Sequence, residues 1–293
     1  MEFNQLRYFL QVVRRRNFTR AAQDCGVSQP ALSQQIIKLE QELGQPVFER
    51  LGREVSLTDA GKLLKDRAER ILFLVDDARN QITDDGETGR IALAAIPTIA
   101  PYLLPTVLRD FKSKFPEAHV EVHEEVTEDS LRKCQQGEVD LALIALPIDV
   151  QHLDVETLFD EELLVVLPPG HPLNDRKRIS ANDIRAEPFV LLDEAHCLSE
   201  SVVSYCTQRA FQPIATGRSS QLATIQELVS LGHGISLIPR MAERVDQSDR
   251  RTYRRLSGEK PQRTIAMCWN PYRYQSKLTQ NLMDCLRAYS PEA

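Results

Sequence analysis

The spacing of apolar residues divides the chain near residue 90. Before that point they recur every three or four positions. Phe3, Leu6, Phe9, Leu10 and Val13 fall on one face of a helix over 3–16, and Leu32, Ile36, Leu39 and Leu43 on one face of a helix over 29–43. Between them a short helix over 19–25, opened by Asn17 or Phe18-Thr19, carries the close-packing pair Ala21-Ala22 and stops at Gly26. Ser28 is a good N-cap for the 29–43 helix, and Pro30 fits only in a first turn. The runs 47–50 and 54–57 flank Leu51-Gly52-Arg53 as a short hairpin. Thr58 then caps a helix of about 25 residues, with Asp59 at its positive end, that stops at Asp84-Asp85-Gly86 and reaches ~37 Å at ~1.5 Å per residue. Its apolar residues Ala60, Leu64, Ala68, Ile71, Val75, Ala78 and Ile82 form one stripe at steps of three and four, which needs a partner and predicts a dimerisation helix.

After residue 90 the period changes. Strand-like runs at 91–96, 120–122, 139–145, 163–167, 188–192, 235–238 and 265–269 alternate with helical stretches at 101–115, 130–135, 221–231 and 277–289. This alternation predicts an α/β body with mostly parallel sheets and ligand sites outside the C-terminal ends of the strands. A length of 293 residues agrees with more than one domain.

Three helices with a Gly-containing turn before the third have the layout of a helix-turn-helix, and the flanking hairpin adds a wing. In a major groove, Gln29, Ser33 and Gln34 are able to hydrogen-bond to base edges, while Arg14, Arg15, Arg16, Arg20, Lys38, Arg50 and Arg53 neutralise phosphates. Charge agrees in part: residues 1–65 hold ten Lys/Arg against seven Asp/Glu, whereas the whole chain carries −6. A locally basic module on an acidic body fits a small DNA reader joined to a sensing domain, and a solvated polar helix is the plainer alternative.

With 42% hydrophobic and 27% charged residues, the chain is neither fibrous nor disordered in bulk. Its apolar runs fall short of the ~20 residues that span a bilayer, and residues 1–5 carry no basic-then-apolar export signal, so a cytoplasmic location is expected. There is no Gly-rich phosphate loop, HExxH, CxxC or Gly-x-Ser-x-Gly, and no enzyme is expected. His119 and His123 share a strand face beside Glu121, but no third clustered ligand is evident, and solvated strand histidines are the preferred reading.

Six cysteines are too few for a disulfide scaffold. One pair stands out, in Asp193-Glu194-Ala195-His196-Cys197-Leu198-Ser199-Glu200 followed by Tyr205-Cys206. The thiolate is the reactive form of cysteine, favoured by an adjacent His or a helix N-terminus and opposed by acidic neighbours such as Asp193, Glu194 and Glu200. If 199–210 is helical, Cys197 and Cys206 lie about 13.5 Å apart along the axis, while a disulfide needs Cα atoms within ~7 Å. Bonding then requires the segment to unwind, giving a two-state switch; two unrelated buried thiols are the alternative.

Residues 1–90, with Ala21-Ala22, Val27-Ser28-Gln29-Pro30-Ala31-Leu32-Ser33, Ile37-Lys38-Leu39-Glu40, Leu43-Gly44, Phe48-Glu49-Arg50 and Leu57-Thr58-Asp59-Ala60-Gly61, resemble the winged helix-turn-helix and linker helix of LysR-type transcriptional regulators. The resemblance implies a winged helix-turn-helix domain over 1–58, a linker helix over 59–89 and a two-lobed regulatory domain over 90–293, similar to periplasmic binding proteins. Lobe I would take 90–160 and 269–293, and lobe II 161–268. It also implies a dimer of dimers on promoter DNA, with DNA contacts from Arg20, Ser28, Gln29, Pro30, Ser33, Gln34, Lys38, Arg50 and Arg53.

The segment 192–198 with Cys206, together with Ile96-Pro97-Thr98, His123-Glu124 with Thr127, Phe159-Asp160-Glu161, Gly232-His233-Gly234-Ile235 and Arg263-Thr264-Ile265, is similar to the peroxide-sensing, OxyR-like branch of that family. That similarity implies a peroxidatic Cys197, a resolving Cys206, and Thr98, Thr127, His196 and Glu200 around hydrogen peroxide. It further implies no cofactor and no metal, control of antioxidant genes through RNA polymerase, and resetting by thioredoxin or glutaredoxin. Ala195 and Glu200 depart from the branch, where Gly and Asp are usual. Cys25, Cys134, Cys268 and Cys285 match no part of the redox motif and are read as structural. Two rivals remain: a LysR-type regulator answering to a reversible effector between the lobes, and a thiol peroxidase, for which residues 1–90 have no purpose.

Overall fold

In the computed structural model, which describes residues 1–49, 55–148 and 152–290, the first helix α1 (Phe3–Arg15) opens with a capping box between Glu2 and Gln5 and closes at Arg16 in the left-handed region. Asn17 caps α2 (Phe18–Asp24) by accepting a hydrogen bond from the Arg20 N–H at 3.0 Å. Gly26, at φ +66°, turns the chain into α3 (Gln29–Leu43), whose cap Ser28 accepts from the Ala31 N–H at 3.3 Å. Leu6, Phe9, Val12, Ala21, Leu32, Ile36 and Leu39 bury one core beneath these helices. Phe48 joins it, its ring 5.2 Å from that of Phe9 and 5.5 Å from that of Phe18. Phe48 lies in β1 (Phe48–Glu49), which pairs antiparallel with β2 (Ser56–Leu57) to form the base of the wing. Arg50 and Arg53, expected to contact phosphate, lie outside the described residues.

The helix α4 (Asp59–Thr83) starts where the Thr58 hydroxyl donates to the Pro46 carbonyl and accepts from the Gly61 N–H. Its apolar stripe is only partly left for a partner. Leu64 and Ala68 are buried in the unit's own core, with Ile71 and Leu72 packed at its edge, because α4 lies against α1. Ala78 and Ile82 further along the stripe are exposed. The contact at the helix start is tight: a Cβ on Gly61 would lie 2.0 Å from the Val47 carbonyl oxygen and 2.9 Å from Leu57 Cδ2. Ala normally stabilises a helix interior over Gly, but here the added methyl meets backbone. Gly61→Ala is therefore expected to cost about 1–3 kcal/mol. Thermal unfolding of the variant checks this, and a melting point at or above the parent's would show the contact to be looser than described.

Residues Asp84–Ala293 form a second unit. Its elements are β3 (Gly89–Ala95), α5 (Ala100–Lys114), β4 (Ala118–Glu124), α6 (Thr127–Gln136), β5 (Leu141–Leu146) and β6 (Asp154–Leu167), then α7 (Ala181–Ile184), β7 (Pro188–Leu192), α8 (Cys197–Gln208), β8 (Ile214–Ser219) and α9 (Leu222–Ser230). Next come β9 (Ser236–Pro239), α10 (Arg240–Val245), β10 (Thr252–Arg254), β11 (Gln262–Trp269) and α11 (Lys277–Ala288). Two cores result. One gathers β3, β5, β11, α5 and α11; the other gathers the end of β6 with β7, α8, α9 and β9.

The sheet is mixed, not mostly parallel. β3 runs parallel to β4 and β5, and β7 to β8, but β11 is antiparallel to both β5 and β6, and β6 is antiparallel to β9 and β10. The reason lies in the path of the chain. It leaves the first core along β6 and returns along β11, and an outgoing strand beside a returning one must pair antiparallel. Ile265–Cys268 consequently pack in the first core.

Candidate functional site

The turn from β7 into α8 is built by backbone hydrogen bonds: Asp193 N–H to Ser219 O, His196 N–H to Asp193 O, and Ser199 N–H to His196 O, each 2.9–3.0 Å. His196 thereby becomes the N-cap of α8, and Cys197 its first residue. His196 is buried, while Glu200 in the first turn is exposed.

Cys197 and Cys206 are both free and stand on one unbroken helix. Nine residues amount to two and a half turns at ~3.6 residues per turn, so the two side chains leave opposite faces about 13.5 Å apart along the axis. Their surroundings differ accordingly. Cys197 is half-buried and packs against the first core, while Cys206 is fully buried inside the second. Burial pushes the Cys206 thiol up to about 12, against the pull of nearby Arg209. The end of α8 is fastened: the Tyr205 hydroxyl donates to the Glu259 carbonyl at 3.1 Å, and Arg209 stacks 3.7 Å over the Tyr205 ring while pairing with the Glu259 carboxylate at 2.9 Å. A cavity of about 560 Å³ opens against Cys197, bounded by α8, Leu146-Pro147 and residues 258–262.

The groups expected around peroxide are placed separately. Thr98 is buried before α5 and is held by Arg263, which donates to its hydroxyl at 2.7 Å and to its carbonyl at 2.9 Å. The same guanidinium pairs with Glu161 at 2.8 Å, both side chains being essentially inaccessible, and the other Glu161 oxygen accepts from the Met241 N–H at 2.9 Å. Thr127 opens α6, its hydroxyl oxygen buried with no hydrogen-bond partner among the described residues. Thr98, Thr127 and His196 do not line the cavity that reaches Cys197; Glu200 does. Arg263 and Glu161 are register partners on β11 and β6. Both lie in motifs that carry the resemblance, but with about 100 residues between them the sequence does not show that they pair.

The remaining cysteines are set apart from this helix. Cys134 and Cys268 are fully buried side by side, Cys134 donating to the Cys268 carbonyl at 3.7 Å. His123 lies 3.4 Å from Glu121, and among the described residues no group of three or more His, Cys, Asp or Glu is gathered to hold a metal ion. Nor, among them, is any helix long and apolar enough to cross a membrane.

On the first unit, Arg20, Gln29, Pro30, Gln34 and Lys38 are exposed, and Ser28 spends its oxygen as the cap. Gln29 donates to the Ser33 hydroxyl at 2.8 Å, which orients the pair along the outer face of α3. Arg15, expected to be available to phosphate, is engaged by Asp24 at 2.5 Å, and the hydrogen bond from Arg15 holds that carboxyl below its usual range.

Residues 3–62 match the family model described as a bacterial regulatory helix-turn-helix protein of the lysR family, and residues 84–291 match the LysR substrate binding domain. The hydrogen peroxide-inducible genes activator of Pectobacterium carotovorum subsp. carotovorum is 32% identical over 99% of this chain and 97% of its own. Among solved structures, a full-length OxyR variant from Pseudomonas aeruginosa superposes with a TM-score of 0.78 at 30% identity, covering 99% of both chains. An H2O2-bound OxyR mutant from Corynebacterium glutamicum gives 0.66 at 27% identity, covering 98% of this chain and 91% of that one. With both halves matched by their family models and relatives aligned over nearly the whole length, the chain belongs to the LysR family of bacterial transcriptional regulators.

Proposed function

We propose that this LysR-type regulator senses hydrogen peroxide through a thiol–disulfide switch between Cys197 and Cys206, and that the switch alters its grip on promoter DNA. One observation carries the reading: the two thiols occupy opposite faces of a single helix and are packed into different cores. A bond between them has to dismantle α8, so covalent chemistry becomes conformational change. The hydrogen peroxide-inducible genes activator of Pectobacterium and the H2O2-bound OxyR mutant of Corynebacterium glutamicum, both similar to this chain, support the choice of signal.

The chemistry balances as follows. The Cys197 thiolate attacks one peroxide oxygen, the O–O bond breaks, and hydroxide leaves and is protonated to water. The resulting sulfenic acid is attacked by the Cys206 thiolate, losing a second water as the disulfide forms. Thr98, Thr127, His196 and Glu200 would surround the reacting oxygens. On the DNA, Gln29, Ser33 and Gln34 would read base edges beside Ser28 and Pro30, with Arg20, Lys38, Arg50 and Arg53 on phosphates. Domain limits of 1–58, 59–89 and 90–293 suit this division of labour. Paired α4 helices would build a dimer and then a tetramer, acting on RNA polymerase to activate antioxidant genes, with thioredoxin or glutaredoxin restoring the dithiol.

The test is to add about one equivalent of hydrogen peroxide to reduced protein and map every cysteine by mass spectrometry, with Cys197→Ser and Cys206→Ser alongside. A Cys197–Cys206 disulfide, with a Cys197 sulfenic acid trapped in Cys206→Ser, is expected. Slow and equal oxidation of the other thiols with Cys197 left reduced would sink the reading and point to a reversible ligand.

A further inference from the structure

The cavity at Cys197 is far larger than hydrogen peroxide needs. It measures about 560 Å³, within the ~300–1,000 Å³ of small-molecule sites. A molecule of peroxide takes about the space of two waters at ~30 Å³ each. Nor do Thr98, Thr127 and His196 line it, so its space is separate from those groups.

Its shape follows from α8. Cys197, Ser201, Ser204 and Gln208 recur at four, three and four residues, placing a stripe of small and uncharged side chains along one helix face, and all four line the cavity. Leu146 and Pro147 add apolar surface. The cations at its rim are already committed: Arg209 pairs with Glu259 at 2.9 Å and Lys260 with Glu162 at 3.3 Å. Glu200 also lines it and has no ion-pair partner among the described residues. An anionic guest would therefore meet a carboxylate near the thiol and find no free cation, whereas an uncharged organic group finds an apolar wall and hydroxyls.

Building on the peroxide reading, we infer that this cavity admits neutral organic hydroperoxides, so that Cys197 is oxidised by alkyl and aryl hydroperoxides as well as by hydrogen peroxide. The thiolate takes the terminal oxygen, the O–O bond breaks, and the alkoxide leaves and is protonated to an alcohol; the product at Cys197 is the same sulfenic acid. The organic part lies along Ser201, Ser204 and Gln208, against Leu146 and Pro147.

The experiment uses full-length reduced Cys206→Ser protein and times Cys197 sulfenic acid formation, by chemical trapping and mass spectrometry, with hydrogen peroxide and with cumene hydroperoxide. Rates within about tenfold of each other are expected. Ser204→Phe and Gln208→Phe, which fill the end of the cavity away from the sulfur, should each slow cumene hydroperoxide by about tenfold or more and change the hydrogen peroxide rate by less than about twofold. Cumene hydroperoxide reacting more than about a hundredfold slower than hydrogen peroxide would overturn the inference alone, as would both phenylalanine variants slowing the two oxidants equally. Inertness of Cys197 to both oxidants would overturn the peroxide reading as well.

Discussion

Arg263→Met is expected to cost the regulatory unit about 3–5 kcal/mol, because it leaves the Glu161 carboxylate buried without its counter-charge. Both side chains are essentially inaccessible, and the guanidinium also holds the hydroxyl and carbonyl of Thr98. Methionine fills similar volume but supplies no donor, so three acceptors lose their partner at once. At roughly 2–4 °C per kcal/mol for a unit of this size, the melting point should fall by about 6–20 °C. Glu161→Gln combined with Arg263→Met removes the stranded charge and should recover much of that loss, which separates an electrostatic role from simple packing. Melting of Arg263→Met within about 1 kcal/mol of the parent would mean that Glu161 is relieved by water or a proton and that the pair holds little.

The pair also sits at a junction of the fold. Glu161 and Arg263 are cross-strand neighbours on the two strands that carry the chain between the cores. Through Thr98 the guanidinium grips the start of α5 in the first core, and through the Met241 N–H the carboxylate grips the start of α10 beside the second. One buried ion pair thus ties both lobes to their connecting strands.

What the sequence disclosed was what is decided locally. Ser28, Pro30 and the turn at Gly26 set α3 within a few residues, and its three-and-four spacing set the buried face. The first residue of α8 is less legible, since the sequence suggests a helix from 199 and the helix begins two residues earlier, at Cys197, capped by His196. Strand β6 was seen only over 163–167, where its residues are buried and apolar. Its first half, from Asp154, alternates with charged residues facing solvent and lacks an apolar run. Strand β8 was missed for the same reason: Ile214–Ser219 is mostly exposed and carries little apolar periodicity. The antiparallel return of β11 and the Arg263–Glu161 contact depend on how distant segments meet, and no local pattern encodes them. The half-covered stripe of α4 belongs to the same class. Periodicity located the apolar face but not the neighbour, which for Leu64 and Ala68 is the unit's own core.

Ser204→Pro should accelerate closure of the Cys197–Cys206 disulfide by about 100-fold without changing the rate at which Cys197 is first oxidised. In the intact helix Cys206 is handicapped twice. It leaves the face opposite Cys197, and burial pushes its thiol up to about 12. At neutral pH that leaves about three orders of magnitude less thiolate than a released cysteine would carry near its ordinary value of ~8.5. Attack must wait for α8 to open, and the population of the open state sets the pace. Ser204 is exposed, midway between the cysteines, so proline there removes a helical hydrogen bond at about 3 kcal/mol while disturbing little packing. The pH dependence has a definite sign. The folded value of Cys206 lies above its released value, so its contribution to holding α8 closed is complete below the ordinary thiol range and is lost as pH rises toward 12. Closure should quicken from pH 7 upward by up to about tenfold per unit, first because released Cys206 carries more thiolate and, above the ordinary thiol range, because α8 opens more readily. Stopped reactions counted by mass spectrometry, with sulfenic acid and disulfide scored separately, read both steps. Closure of Ser204→Pro at the parental rate, in protein whose circular dichroism shows the regulatory unit folded, would mean that helix opening is not the gate and that the two thiols meet by some other movement.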